Sequence, residues 1–117
     1  MMRWSDKPVY LCCGHTDMRK SINGLMMLVQ GSFSLDPFMD ALFVFCNRDR
    51  NRLKIIEWDG DGFWLYFKRL ERGRFRWPPV GESATMVLDA DELSCLIDGA
   101  RLEKKLSRKE VFERQIS

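Results

Sequence analysis

The chain has 117 residues, 45% of them hydrophobic and 31% charged, with a net charge of only +2. That length suits one domain able to bury a core without disulfide or metal staples, and the balance excludes both a disordered chain and a uniform polycation. Four cysteines without C-x-x-C spacing, Cys12, Cys13, Cys46 and Cys95, fit neither a zinc site nor a disulfide framework, so free thiols in a reducing cytoplasm are expected.

The N-terminus, MMRWSDKPVY, lacks an apolar signal core, and no run approaches the ~20 apolar residues of a membrane helix. Residues 8–13, PVYLCC, read as a strand with Val9, Leu11 and Cys13 on one face and Tyr10 and Cys12 on the other. Thr16 is the expected N-cap of a helix, with Asp17 at its positive end. Met18, Ile22, Leu25, Met26 and Val29 form its apolar stripe, and Gly31 ends it. Residues 32–40 form a loop or a short turn of helix around Pro37. ALFVFC, 41–46, is apolar on both faces, as in a strand covered on both sides. NRDRNR is a charged hairpin connection to LKIIEW, 53–58. DGDG, 59–62, is a strong hairpin turn before FWLYFKR, 63–69.

RGRFRWPPVGES is an exposed connection, and Met86–Leu88 reads as a further short strand. Asp89 and Glu92 form a capping pattern for a helix that carries Leu93, Leu96 and Ile97 inward. The predicted fold class is α+β: an antiparallel sheet of about four strands, one main helix packed on a face and a C-terminal helix. Residues 1–99 form the domain, and 100–117 form a charged tail in which Ser107 and Glu110 repeat the capping pattern.

Function points to the middle of the chain. Between Trp58 and Trp77 lie seven of its fourteen aromatics. Nine basic residues stand against five acidic ones from Asn47 to Trp77, so the basic excess is local. Arg48, Arg50 and Arg52 in one loop, and Arg72, Arg74 and Arg76 in another, are the expected phosphate contacts. Trp64 and Tyr66, beside Lys68, are the expected stacking platforms, and a joint surface with Lys54 and Trp58 requires aligned registers. The opposite face of that strand, Phe63, Leu65 and Phe67, suits the core. Arg19 and Lys20, one turn beyond His15, are a candidate phosphate site at a helix N-terminus. Turn chemistry and solvated charge are the competing readings of these residues, and for Trp64 and Tyr66 a second small core under the C-terminal helix. Asp59 and Asp61 fit the turn better than a magnesium site. No catalytic residue, metal or cofactor is assigned.

Three blocks carry a resemblance: PVYLCCGHTDMRKSINGLMMLV, then LDPFMDALFVFCNRDRNRLKIIEWDGDGFWLYFKRLERGRFRWP, then LDADELSCLIDG. Together they closely resemble the accessory-protein family of the insertion sequence 66 elements, the second reading-frame product often called TnpB, over residues 8–99. The resemblance implies a non-catalytic protein needed for efficient transposition beside a separate DDE-type transposase. DNA and that transposase are the implied partners. The family pattern has proline after its Cys-Gly; His15 stands there instead, which argues against a shared catalytic role. Two rival readings differ in class. One is a protein-interaction module without nucleic-acid affinity. The other is a small nuclease using His15 or Asp59 and Asp61. A homodimer through a sheet edge is compatible with the sequence.

Overall fold

The computed structural model describes residues 7–98. Five strands form one sheet: β1 (Val9–Cys12), β2 (Leu42–Cys46), β3 (Arg52–Trp58), β4 (Phe63–Arg69) and β5 (Thr85–Leu88). Two helices, α1 (Ile22–Gln30) and α2 (Ala90–Ile97), complete the α+β fold. The sheet order is β4-β3-β2-β1-β5. The fold class is as expected, the short strand expected at Met86–Leu88 making the fifth, with one departure. β1 and β2 run parallel, Val9 beside Leu42, because α1 is the crossover between them. The other three pairings are antiparallel. The expected tail, 100–117, lies outside the described residues.

Both faces of the sheet are covered. Under α1, Leu25 and Val29 meet Cys12, Phe43, Phe45 and Ile56. On the other face, Leu93 and Leu96 of α2 and the loop residues Phe75 and Trp77 cover Leu11, Val44 and Ile55. Every residue of β2 is buried, as its apolar sequence requires of a central strand. Among the described residues no helix is long and apolar enough to cross a membrane.

The expected cap at Thr16 is corrected: α1 begins five residues later, after Ser21 in an extended conformation. Thr16 is buried, and its N–H donates to Cys46 O at 2.8 Å, prolonging the ladder to the end of β2. Asp17 then makes a turn rather than a helix, accepting the Arg19 N–H on its carboxylate at 2.9 Å. At α2 the capping box is complete: Asp89 accepts from Glu92 N–H and Glu92 accepts from Asp89 N–H, both at 2.8 Å.

Cys12, Cys13 and Cys46 are buried and Cys95 is exposed. Burial pushes the Cys46 thiol up to about 12 and raises Cys12 and Cys13 above the ordinary value. A thiol reagent at mildly alkaline pH therefore labels Cys95 in the native protein and the buried thiols only on unfolding. Mass spectrometry of labelled peptides checks this, and rapid native labelling at Cys12 or Cys46 would contradict the packing.

Candidate nucleic-acid interface

The β2–β3 connection, 47–51, is organised by one side chain. Asn47 Oδ1 accepts the N–H groups of Asn51 and Arg52, each at 2.9 Å, and its Nδ2 donates to Asn51 Oδ1 at 2.8 Å. Asn suits this role because its amide replaces backbone partners in a tight turn. Arg50 sits in the left-handed region, φ 60°, and its N–H donates to Asn47 O. With the turn closed by asparagine, the Arg48 and Arg50 side chains are left exposed.

The second arginine loop is fastened to the first. Leu70 N–H donates to Asn51 O at 2.8 Å, and Phe75 N–H donates to Arg50 O at 2.7 Å. From Arg72 to Trp77 the loop alternates: Phe75 and Trp77 are buried, while Arg72, Arg74 and Arg76 are exposed. The Trp77 indole N–H donates to Cys12 O at 3.0 Å, pinning the loop to β1. A third segment joins them where Gly14 N–H donates to Pro78 O at 3.0 Å. Gly14 has φ +79°, and a Cβ there would lie 2.7 Å from Val80, so glycine is required. Three loops thus converge at one end of the sheet.

Two open grooves lie there. The larger, about 730 Å³, is lined by His15, Arg19, Arg48, Arg52, Lys54 and Phe67 among others. The smaller, about 500 Å³, shares His15 and Arg48 and adds Arg50 and Trp77. The structure therefore brings the first arginine loop, Arg19 and Lys54 together, with the second loop alongside. Arg19 is held by Asp17 in an exposed ion pair at 2.8 Å, and that hydrogen-bonded arginine keeps the Asp17 carboxyl well below the usual carboxylate range. Arg19 and Lys20 precede α1 rather than follow its first turn, and Lys20 O is occupied by Lys54.

Lys54 is a structural cation. Its Nζ donates to Met18 O at 2.7 Å and Lys20 O at 2.9 Å, and lies 5.9 Å from the Phe67 ring centroid. Lys54→Met should cost about 1.5–3 kcal/mol, the range for hydrogen bonds to a charged group. Chemical denaturation checks this; a loss below about 0.5 kcal/mol would contradict the role.

The joint Lys54–Trp58–Trp64–Tyr66–Lys68 surface is not formed. Only Gly60 and Asp61 separate Asp59 from Gly62, whose O accepts the Asp59 N–H at 3.0 Å. An even number of turn residues pairs even positions with odd ones across the hairpin. Lys54 therefore faces Phe67 and Trp58 faces Phe63, while Trp64, Tyr66 and Lys68 lie on the other face. Tyr66 packs against the core under α2 and donates its hydroxyl to the buried Glu57 at 2.7 Å. Lys68 Nζ donates to Ile97 O at 2.8 Å. The second small core is thus present. Trp64, 55% exposed, stacks on Tyr66 and donates to Asp59 at 2.6 Å.

The core assignment of Leu65 and Phe67 is also corrected, since α1 packs over β1, β2 and β3 and leaves them 36% and 54% exposed. Phe67, not Trp64 or Tyr66, lines the larger arginine groove, as Trp77 lines the smaller. Its alternation with the core pattern hid it; turn-length parity was the signal that it shares a face with Lys54 and Arg52.

His15 is exposed on both grooves. Asp59 and Asp61 lie in the β3–β4 turn, where hydrogen bonds from Trp64 and Asp61 hold the Asp59 carboxyl below its ordinary range. Among the described residues no group of three His, Cys, Asp or Glu side chains is placed to hold a metal ion.

The chain is 42% identical over 91 residues to the uncharacterized protein y4hO of Sinorhizobium fredii, covering 78% of each chain. It is 40% identical over 83 residues to the uncharacterized protein y4jC of the same organism, covering 71% of this chain and 70% of that one. No solved structure gives a significant match. The family described as IS66 Orf2 like protein matches residues 7–107, which takes in the whole sheet and both helices. The chain belongs to the IS66 Orf2-like family, whose members are associated with transposition as accessory proteins.

Proposed function

We propose that this chain is a non-catalytic accessory factor of transposition that binds element DNA through the arginine loops at one end of its sheet. It works beside the DDE-type transposase of the same element. The observation that carries the reading is the Phe75 N–H to Arg50 O bond, 2.7 Å. It fastens two loops that are far apart in sequence into one basic surface. Exposed arginines on rigidly tethered loops suit phosphate oxygens, because the guanidinium fork matches them and little loop entropy is lost on binding. Phe67 beside Arg52 adds a ring on which an unpaired base can stack.

Residues 1–99 serve as the binding domain in this reading, with 100–117 as an appended charged segment. The protein works in the bacterial cytoplasm, where the DNA is. Amide chemical-shift mapping with duplex and single-stranded element-end DNA tests the placement. Shifts concentrated at 47–52 and 70–77 are expected. Shifts confined to β5 and α2, or none, would overturn it.

A further inference from the structure

β4 is an edge strand, and its pairing with β3 fixes which backbone groups face outward. Asp59 N–H donates to Gly62 O and Leu70 N–H donates to Asn51 O. The register between these two pairs is unbroken. Even positions from Gly62 to Leu70 therefore bond inward. The N–H and C=O groups of Phe63, Leu65, Phe67 and Arg69 point away from the sheet, and no described residue pairs with them.

Sheets guard such edges with short strands, prolines, bulges or charge. The opposite edge, β5, has only four residues. β4 has seven, without proline or bulge, and exposes Trp64, Leu65 and Phe67. Lys68, the side chain that would guard it, is turned to Ile97 O.

The strand is complementary to itself. FWLYFKR, placed antiparallel to a copy about a two-fold axis at Tyr66, uses all seven residues. Phe63 then lies opposite the partner's Arg69, Trp64 opposite the partner's Lys68, and Leu65 opposite the partner's Phe67. With Lys68 held at Ile97 O, one cation–aromatic pair, Phe63 with Arg69, and one apolar pair, Leu65 with Phe67, result on each side of the axis, the kinds of cross-strand neighbour that stabilise a ladder. Leu65 and Phe67 both point their backbone groups outward, so the register that matches the side chains also matches the hydrogen bonds. The Arg69 ion pair with Glu71 is exposed and competes weakly.

We propose that the chain forms a two-fold dimer in which β4 pairs with β4 of a second copy, centred on Tyr66, joining two sheets into one. The axis is perpendicular to the sheet, so both grooves lined by Phe67 and Arg52 open on the same side. This assembly does not depend on DNA being the ligand.

Sedimentation equilibrium of the full chain should give twice the 13.8 kDa chain mass. In amide exchange, the Leu65 and Phe67 N–H groups should be protected at high protein concentration and lose protection on dilution. Leu65→Pro removes only an outward N–H and leaves the β3 ladder intact, so it should weaken self-association at least about tenfold with an unchanged circular dichroism spectrum. Leu65→Lys serves if the proline variant does not fold, and the exchange result on the native chain stands without either. A monomer at high micromolar concentration would overturn the proposal. So would a dimer of undiminished affinity in a folded variant, or protection of Leu65 and Phe67 that does not change on dilution, which would mean the chain covers its own edge.

Discussion

Replacing Arg72, Arg74 and Arg76 together with serine should lower affinity for element DNA by roughly 100-fold at low salt, taking up to about 1 kcal/mol for each solvent-exposed ion pair. The plot of log affinity against log salt should flatten by about 2.7, since each phosphate contact contributes about 0.9 to the slope on duplex DNA. The loop should keep its place, because Phe75 and Trp77 are buried and anchor it while the three arginine side chains are exposed. The substitution also takes the net charge from +2 to −1. A second variant with lysine at all three positions separates the causes: it keeps the charge, so it should restore the slope while recovering only part of the affinity. A triple-serine variant with the native salt slope would remove these arginines from the interface.

The second large effect is on the fold. Phe75→Ala should destabilise the protein by about 3–5 kcal/mol, the usual cost of truncating a buried phenylalanine. The ring is fully buried and sits on the sheet face shared with α2. Its backbone N–H is the tether to Arg50, so the variant should also loosen the arrangement of the arginine loops. Affinity should then fall although no basic residue is lost, whereas Phe75→Leu should keep most of both properties. Urea denaturation and DNA titration on the same preparations check this. A loss under about 1 kcal/mol would mean that the loop is held mainly by Trp77.

Much of the fold is legible in the sequence because local signals there agree with tertiary demands. The doubly apolar ALFVFC becomes the central strand, the DGDG turn closes the β3–β4 hairpin, and Asp89 with Glu92 forms the capping box. The helix start is missed because Asp17 bonds to Arg19 within a turn, a local alternative that satisfies the same cues as a cap. The parallel pairing of β1 with β2 depends on how the crossover packs, which periodicity does not encode.

The site is legible in part. Both arginine loops stand out by composition. Their tethering does not, since it rests on the Phe75 N–H meeting the Arg50 carbonyl, a contact between backbones. The exchange of roles on β4 is different in kind. Trp64 and Tyr66 look like an exposed amphipathic face and Phe67 like core, yet the two-residue turn sets Phe67 beside Lys54 and Arg52. Burial then follows neighbours: α2 and the Trp77 loop take in Tyr66, and α1 stops short of Phe67.

Fluorescence-anisotropy titration of the full chain against element-end DNA, single- and double-stranded, at two salt concentrations, tests the central claim most directly. Binding that weakens steeply as salt rises, and that the Arg72, Arg74 and Arg76 substitutions flatten, is the predicted result. No binding to either form at low salt would contradict it, and would leave contact with the transposase as the role of this surface.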